Sequence, residues 1–108
     1  MPSALVNKYA IYFHFEGSGK VKQLLSRQTS LFLAVESCVA AYRSTGHFGY
    51  WIEDQRGHRT FVLDRRIVLA LLFLKSSDEA RYFGVLNQLD QSGNQVMLES
   101  ALSEFLPS

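Results

Sequence analysis

Near the start of the chain, hydrophobic and polar positions follow the two-residue period of a β-strand. Residues 6–15 are dense in aromatic and β-branched side chains. One face carries Tyr9, Ile11, Phe13 and Phe15. Because apolar residues also lie between them, the pattern predicts a strand that is covered on both faces. Residues 21–28 fit a helical turn and an alternating strand equally well, and we assign them to a helix.

A helical period follows over residues 30–45, where apolar side chains recur every three or four positions. This spacing predicts an amphipathic helix, which Thr29 or Ser30 would cap at its N terminus. Gly46 stands where many helices end in a left-handed residue. Cys38 lies on the apolar face of this predicted helix.

Two strand-forming runs come next, at residues 48–53 and 58–63, and the polar turn between them contains Gly57. Such a pattern predicts a β-hairpin. A two-residue loop at Arg56 and Gly57 would set three cross-strand pairs: Ile52 with Phe61, Tyr50 with Leu63, and Asp54 with Arg59. One face of the hairpin is then apolar, and Trp51 lies on the opposite face.

The remainder of the chain favours helices. Residues 67–74 are so uniformly apolar that their period decides nothing, but their leucine and alanine content and a cap at Asp64 favour a helix. A third hairpin strand is the alternative. Ser76 and Glu79 match a capping box at the start of the next helix, and apolar spacing over residues 98–105 predicts a last one.

These elements predict one α+β domain over residues 1–108. A small antiparallel sheet, made of the N-terminal strand and the central β-hairpin, would pack with the central helix and two or three C-terminal helices. The alternative is a ferredoxin-like arrangement with a final strand at residues 95–99. A chain of 108 residues buries about two-thirds of its surface on folding, enough for a core without disulfides or a structural metal.

Composition narrows the class of protein. The chain is 47% hydrophobic with a net charge of +1, which excludes an intrinsically disordered protein. The single cysteine, Cys38, cannot form an internal disulfide, and the first residues lack a signal-peptide pattern. The longest apolar run, residues 67–74, is too short to cross a membrane. We therefore expect a soluble cytoplasmic protein with no membrane partner.

No motif for catalysis, cofactor binding or metal binding is stronger than its structural explanation. The glycines of residues 17–20 suggest a phosphate loop, but the leading glycine and the hydroxyl residue after the lysine are missing. His14, His47 and His58 do not have the spacing of metal ligands. Cys38 has the apolar surroundings of an inert thiol. We predict no catalytic residue, cofactor or metal, unless the fold brings His14 or His47 to a carboxylate.

The positive charge lies in the first part of the chain. Residues 1–66 hold nine Lys+Arg and five Asp+Glu, a net of +4, whereas residues 67–108 hold two and five, a net of −3. Residues 47–66 concentrate both aromatic and basic side chains. The candidate partner-binding residues are Tyr50, Trp51, Arg56, His58, Arg59, Arg65 and Arg66.

These observations predict a non-enzymatic interaction or regulatory module. We expect it to self-associate as a homodimer and to present residues 47–66 to a protein or other macromolecular partner, with Trp51 as the anchor. The first alternative is a nucleic-acid-binding protein that uses the arginines of this segment, although Glu53, Asp54 and Asp64 neutralise part of their charge. The second alternative is a small enzyme.

Overall fold

A computed structural model describes residues 8–14, 23–45, 49–92 and 94–106. The strands in these ranges are β1 (Tyr9–His14), β2 (Gln23–Gln28), β3 (Gly49–Glu53) and β4 (Arg59–Asp64). The helices are α1 (Leu31–Thr45), α2 (Arg65–Ser77), α3 (Glu79–Ser92) and α4 (Gln95–Ala101), and a 3₁₀ turn follows at Ser103–Phe105. The candidate phosphate loop at residues 17–20, Gly46 and His47 lie outside the described residues.

The four strands form one antiparallel sheet in the order β2-β1-β3-β4. This sheet and its helices confirm the predicted α+β class. The ferredoxin-like alternative is wrong, because residues 95–99 begin α4 instead of forming a strand. The Asn94 side chain caps that helix by accepting a hydrogen bond from the backbone N–H of Met97 at 2.8 Å.

The helix predicted over residues 21–28 is wrong, since residues 23–28 form the edge strand β2. Its pairing with β1 contains a β-bulge, with Ile11 opposite Ser26 and Tyr12 opposite Leu24. A sequence that fits both periods takes its conformation from the strand beside it, because pairing and burial outweigh local propensity. The sheet therefore has four strands, one more than predicted.

The helix predicted at residues 30–45 is confirmed as α1, and the Ser30 hydroxyl accepts a hydrogen bond from the N–H of Leu33 at 3.2 Å. Residues 67–74 lie in a helix, so the strand alternative is wrong. As predicted, Asp64 caps that helix: its Oδ1 accepts a hydrogen bond from the N–H of Ile67 at 3.0 Å.

The start of α3 differs from the predicted capping box. Ser76 lies in the last turn of α2, and the side chain of Asp78 accepts a hydrogen bond from the N–H of Arg81 at 3.1 Å. Asp78 thus both ends α2 and caps α3. The predicted helix is confirmed, and only its cap was assigned wrongly, because a carboxylate two residues later serves the same function.

Strands β3 and β4 form the predicted hairpin. Their pairing away from the turn has the predicted register, but the turn itself differs from the prediction. Ile52 pairs with Phe61, and Tyr50 pairs with Leu63. The loop has three residues instead of two, because the N–H of Asp54 donates to the carbonyl of His58 and the N–H of Gly57 donates to the carbonyl of Asp54, both at 3.0 Å. The resulting shift sets Glu53, and not Asp54, opposite Arg59.

Gly57 is the position in this turn where a side chain is unfavourable, since its φ is +80°. We expect Gly57→Ala to lower the free energy of unfolding by about 1–2 kcal/mol. A Cβ there would meet no described atom within 4 Å, so the cost is conformational. The matched control is Gly84→Ala on the exposed side of α3, which should raise the free energy of unfolding by up to about 1 kcal/mol. Urea titrations in which both variants shift in the same direction would contradict this account.

The hydrophobic core lies between the inner face of the sheet and the helices α1, α2 and α3. Fully buried side chains of the inner face are Ile11, Tyr50, Ile52, Phe61 and Leu63. The register gives the opposite, outer face to Ala10 and Tyr12 of β1 and to Trp51 and Glu53 of β3. The described helices pack against the inner face, whereas on the outer face Ala10 and Glu53 are buried and Tyr12 and Trp51 are half-buried.

Candidate interaction surfaces

The candidate residues Tyr50 and Trp51 separate onto opposite faces of β3. Tyr50 is 1% exposed and packs in the core, so it cannot contact a partner, and we remove it from the candidate site. Trp51 is half-buried on the outer face. Its ring stacks on that of Tyr12, with 6.1 Å between centroids, and its Nε1 donates a hydrogen bond to Glu53 Oε2 at 3.1 Å.

Trp51 belongs to a row of apolar side chains that crosses the whole sheet. The register aligns one residue from each strand, Leu24, Tyr12, Trp51 and Val62, and we call these the outer row. The two ends of the outer row are open to solvent, since Leu24 is 46% exposed and Val62 is 41% exposed. A contiguous apolar patch of this kind is typical of an interaction surface.

The predicted arginines do not form one cluster. Arg56 and His58 lie in the hairpin turn, whereas Arg65 and Arg66 begin α2. The six residues of β4 separate the two groups, a distance of about 20 Å for an extended strand. Arg59, whose backbone lies opposite Glu53, is the first residue of that strand. Among the side chains that the structure describes, the basic residues of this segment therefore form two groups and not a single patch.

Each arginine at the start of α2 contacts a neighbouring side chain. Arg65 Nε donates a hydrogen bond to the Tyr42 hydroxyl at 3.0 Å. Arg66 Nη2 lies 3.4 Å from Asp64 Oδ2. Both arginines are exposed, so these contacts are open to exchange with a partner's groups.

The hairpin turn is organised by Asp54. Its Oδ1 accepts hydrogen bonds from the backbone N–H of Arg56 at 2.9 Å and of His58 at 3.1 Å. The hydrogen bond from His58 is the largest cause that lowers the pKa of Asp54. Asp54 thus holds its own turn, an arrangement typical of aspartate in loops, and the side chain of Arg59, its predicted ion-pair partner, lies outside the described residues.

A recess of about 330 Å³ lies beside the outer row, at the end of the sheet that carries the hairpin turn. Its lining includes Tyr12, Arg27 and Glu53, together with Lys8 at the start of β1. Neither Lys8 nor Arg27 forms an ion pair with any residue that the structure describes. Arg56 lines an adjoining recess with Lys8. Three basic side chains that sequence reasoning did not group thus lie near the outer row.

A second exposed apolar surface lies on α2, outside the core. Leu69, Phe73 and Phe105 line a groove of about 520 Å³ between α2 and the 3₁₀ turn, with Arg66 and Glu104 also in its wall. We call this the α2 groove. Phe73 is 60% exposed, and its ring lies 5.4 Å from that of Phe105 between centroids.

Sequence reasoning missed the α2 groove, although the signal was present. Residues 67–74 are apolar around the whole circumference of a helix, whereas a helix that packs on one side only needs one apolar face. The core covers Ile67, Leu71 and Leu74. Leu69 and Phe73, one helical turn apart, are exposed instead. An all-round apolar helix in a small domain thus indicates a second contact surface.

The helices bury two titratable groups, the Cys38 thiol of α1 and the Tyr82 hydroxyl of α3. Burial raises the pKa of the Cys38 thiol well above its usual range, as predicted for an inert cysteine. The Tyr82 hydroxyl donates a hydrogen bond to Glu36, and Lys75 Nζ lies 3.3 Å from Glu36 Oε2. Burial is the main cause that raises the pKa of Tyr82. This cluster joins α1, α2 and α3 and leaves Tyr82 protonated.

The described residues contain no group of three or more His, Cys, Asp or Glu residues that would hold a metal ion. His47 and the side chain of His14 are not among the described residues. None of the described helices combines the length and the apolar character needed to cross a membrane. Comparison of the chain with protein-family models, curated proteins and solved structures found no match.

Proposed function

We propose that this protein is a non-enzymatic interaction module that forms a two-fold homodimer through the α2 groove. The observation that carries the proposal is the exposure of Phe73 in an apolar groove whose wall holds two opposite charges, Arg66 and Glu104. Two-fold dimers bring the same patch of both copies together, so a patch must complement itself. The α2 groove supplies apolar surface and both signs of charge.

The arrangement of the charges favours an antiparallel contact between two α2 helices. Arg66 and Phe73 are seven positions apart, about 10 Å along the helix axis. Glu104 lies next to Phe105, which packs on Phe73. When a two-fold axis sets the two α2 helices antiparallel, the Arg66 end of one helix faces the Phe73 end of the other. Arg66 then approaches Glu104 of the second copy, and the symmetry repeats this pair.

The present partners of these two charges do not oppose the contact. Arg66 pairs with Asp64, and Glu104 pairs with Arg81, and all four side chains are at least partly exposed. Exposed ion pairs contribute only about 0–1 kcal/mol, so they are exchanged easily when a second charge arrives. The apolar side chains Leu69 and Phe73 supply the driving force, because dimer formation removes them from contact with water.

Light scattering after size-exclusion chromatography tests the proposal. We expect the wild-type chain to have twice its monomer mass of 12.3 kDa, and Phe73→Glu to have the monomer mass, because a carboxylate would be desolvated in the contact. Val96→Glu is the matched control, since Val96 is 75% exposed on α4 and lies outside the groove.

Charge exchange tests the orientation of the two helices. Arg66→Glu and Glu104→Arg should each weaken the dimer, and the double variant should restore it, since the pair is then re-formed with opposite polarity. Two results would contradict the proposal. These are a wild-type mass of 12.3 kDa at the highest concentration tested, or a Phe73→Glu chain that remains a dimer.

A dimer of this kind leaves the outer row accessible, since α2 packs on the inner face of the sheet. In this proposal the hairpin segment, residues 47–66, keeps its expected function of meeting a second macromolecular partner. Trp51 remains the anchor, because aromatic side chains held by their neighbours concentrate binding energy. Tyr12 and Leu24 extend that surface onto strands outside the hairpin.

A further inference from the structure

We propose that the outer face of the sheet binds single-stranded nucleic acid, with Trp51 and Tyr12 as the platform on which bases stack. This inference does not depend on the dimer, because the α2 groove lies on the other side of the sheet. It concerns the chemistry of the partner that the outer row would recognise. Three features support it: the position of the aromatic rings, the way they are held, and the charges around them.

The two rings occupy the central strands of an antiparallel sheet at directly opposed positions. Tyr12 on β1 pairs with Trp51 on β3, and their planes differ by 26°. Single-stranded RNA and DNA are commonly bound by aromatic side chains on an open sheet, where each base stacks on a ring face. The outer row crosses three inter-strand spacings, about 14 Å, which suits two or three bases.

The platform is held in place before a ligand arrives. The hydrogen bond from Trp51 Nε1 to Glu53 Oε2 fixes the indole, and Glu53 is itself buried. Trp51 is half-buried, so it does not need to be ordered on binding. Preorganised aromatic side chains lose little conformational entropy when a ligand binds, which favours affinity.

Positive charge borders the platform where a phosphate backbone would run. In the register Arg27 is level with Ala10, one step along the outer face from Tyr12, and Lys8 lines the same recess. Arg56 extends the positive border at the hairpin turn. Two carboxylates of the described residues, Asp54 and Glu53, line the same recess and keep their negative charge while they accept hydrogen bonds from neutral N–H groups. With Arg56 the three basic side chains outnumber them, so the border attracts phosphates.

The flat, shallow shape of the site favours a single strand over a duplex. The paired rings lie on strands of the sheet, and no helix that could enter a groove of double-stranded DNA carries them. In a duplex the base faces are stacked on one another, so they cannot reach Tyr12 and Trp51. An acidic protein would also be held by the basic side chains and by Trp51 as an anchor, but it has no base faces to stack on the paired rings. The opposed rings with a basic border therefore favour nucleic acid.

Fluorescence tests the proposal directly, because Trp51 is the only tryptophan of the chain. We expect short single-stranded RNA or DNA oligonucleotides of mixed sequence to quench Trp51 fluorescence at low salt. Affinity should fall as salt rises, with a slope near −0.7 for each phosphate contacted. A duplex of the same sequence should bind more weakly and quench less.

Variants distinguish the contribution of base stacking to affinity from that of charge. Affinity is measured by the fluorescence anisotropy of a labelled oligonucleotide. Trp51→Leu should weaken binding about tenfold. Arg27→Glu should weaken binding and reduce the salt slope, whereas Arg43→Glu, the same charge change at an exposed position of α1, should do neither. Phe73→Glu should bind as the wild type does, and this result would distinguish the platform from the dimer.

Several outcomes would overturn the proposal. They are no binding at low salt, equal binding and quenching by duplex and single strand, or binding that Trp51→Leu leaves unchanged. Equally tight binding of a poly-glutamate peptide, unaffected by Trp51→Leu, would instead assign the basic border to an acidic protein partner. Each of these results can be obtained while the wild-type chain remains a dimer, so failure here is distinct from failure of the α2 contact.

Discussion

Replacing Glu36 by alanine is expected to lower the free energy of unfolding by about 2–3 kcal/mol. Glu36 on α1 accepts a hydrogen bond from the Tyr82 hydroxyl of α3 and lies 3.3 Å from Lys75 Nζ of α2. Without the carboxylate, the buried hydroxyl loses its acceptor and the ammonium loses its counter-charge. The ammonium also lies 5.4 Å from the centre of the Tyr82 ring, so one substitution affects all three helices.

Two graded variants accompany Glu36→Ala. Tyr82→Phe removes a single hydrogen bond and keeps the ion pair, so it should cost about 1 kcal/mol. Glu36→Gln keeps an acceptor for the hydroxyl and removes the charge, and its cost should fall between the other two. Urea titrations with unchanged slopes would measure these differences. A Glu36→Ala chain within about 0.5 kcal/mol of the wild type would show that the cluster adds nothing to stability.

The parts of the fold that sequence predicted are those set by local patterns. The pairs Ile52–Phe61 and Tyr50–Leu63 follow from alternation, because a slip of one residue would turn every apolar side chain outward. The cap at Asp64 follows from chemistry that acts within three residues. Helix α1 follows from a period sustained over four turns. None of these depends on distant contacts.

The errors arose where two local solutions had similar energies. A loop of two residues and a loop of three both use Gly57, and only the wider register, with Glu53 opposite Arg59, distinguishes them. Residues 23–28 suit a helix or a strand, and β1 decides between them. Distance in sequence also misled the charge argument: Arg56 and Arg66 are ten positions apart, yet β4 extends between them.

The sequence predicted the anchor of the candidate site, Trp51, but not the residues that surround it in the fold. Trp51 is identified by being an aromatic residue on the side of the hairpin away from the apolar face. Its partners Tyr12 and Arg27 come from β1 and β2, and sequence gives no means to align strands separated by a helix. The α2 groove required knowing that residues 67–74 are helical and which side the core covers.

The adjacent residues Tyr50 and Trp51 test which face of the sheet stabilises the fold and which face binds a partner. Tyr50→Ala should lower the free energy of unfolding by about 3–5 kcal/mol, because it removes a large ring from a filled core. That loss is a large part of the roughly 5–15 kcal/mol that stabilises a domain. Trp51→Ala should cost less, since the indole is only half-buried, although it gives up its stacking on Tyr12 and its hydrogen bond to Glu53.

The two substitutions should affect oligonucleotide binding in the opposite order to their effects on stability. Measured under conditions where both variants are folded, Trp51→Ala should weaken binding of a single-stranded oligonucleotide, whereas Tyr50→Ala should bind as the wild type does. One variant loses stability and the other loses binding because neighbouring residues of a strand point to opposite faces of the sheet. If Trp51→Ala lowered the free energy of unfolding as much as Tyr50→Ala, Trp51 would be a structural residue of a covered face. The outer row would then not be a binding surface.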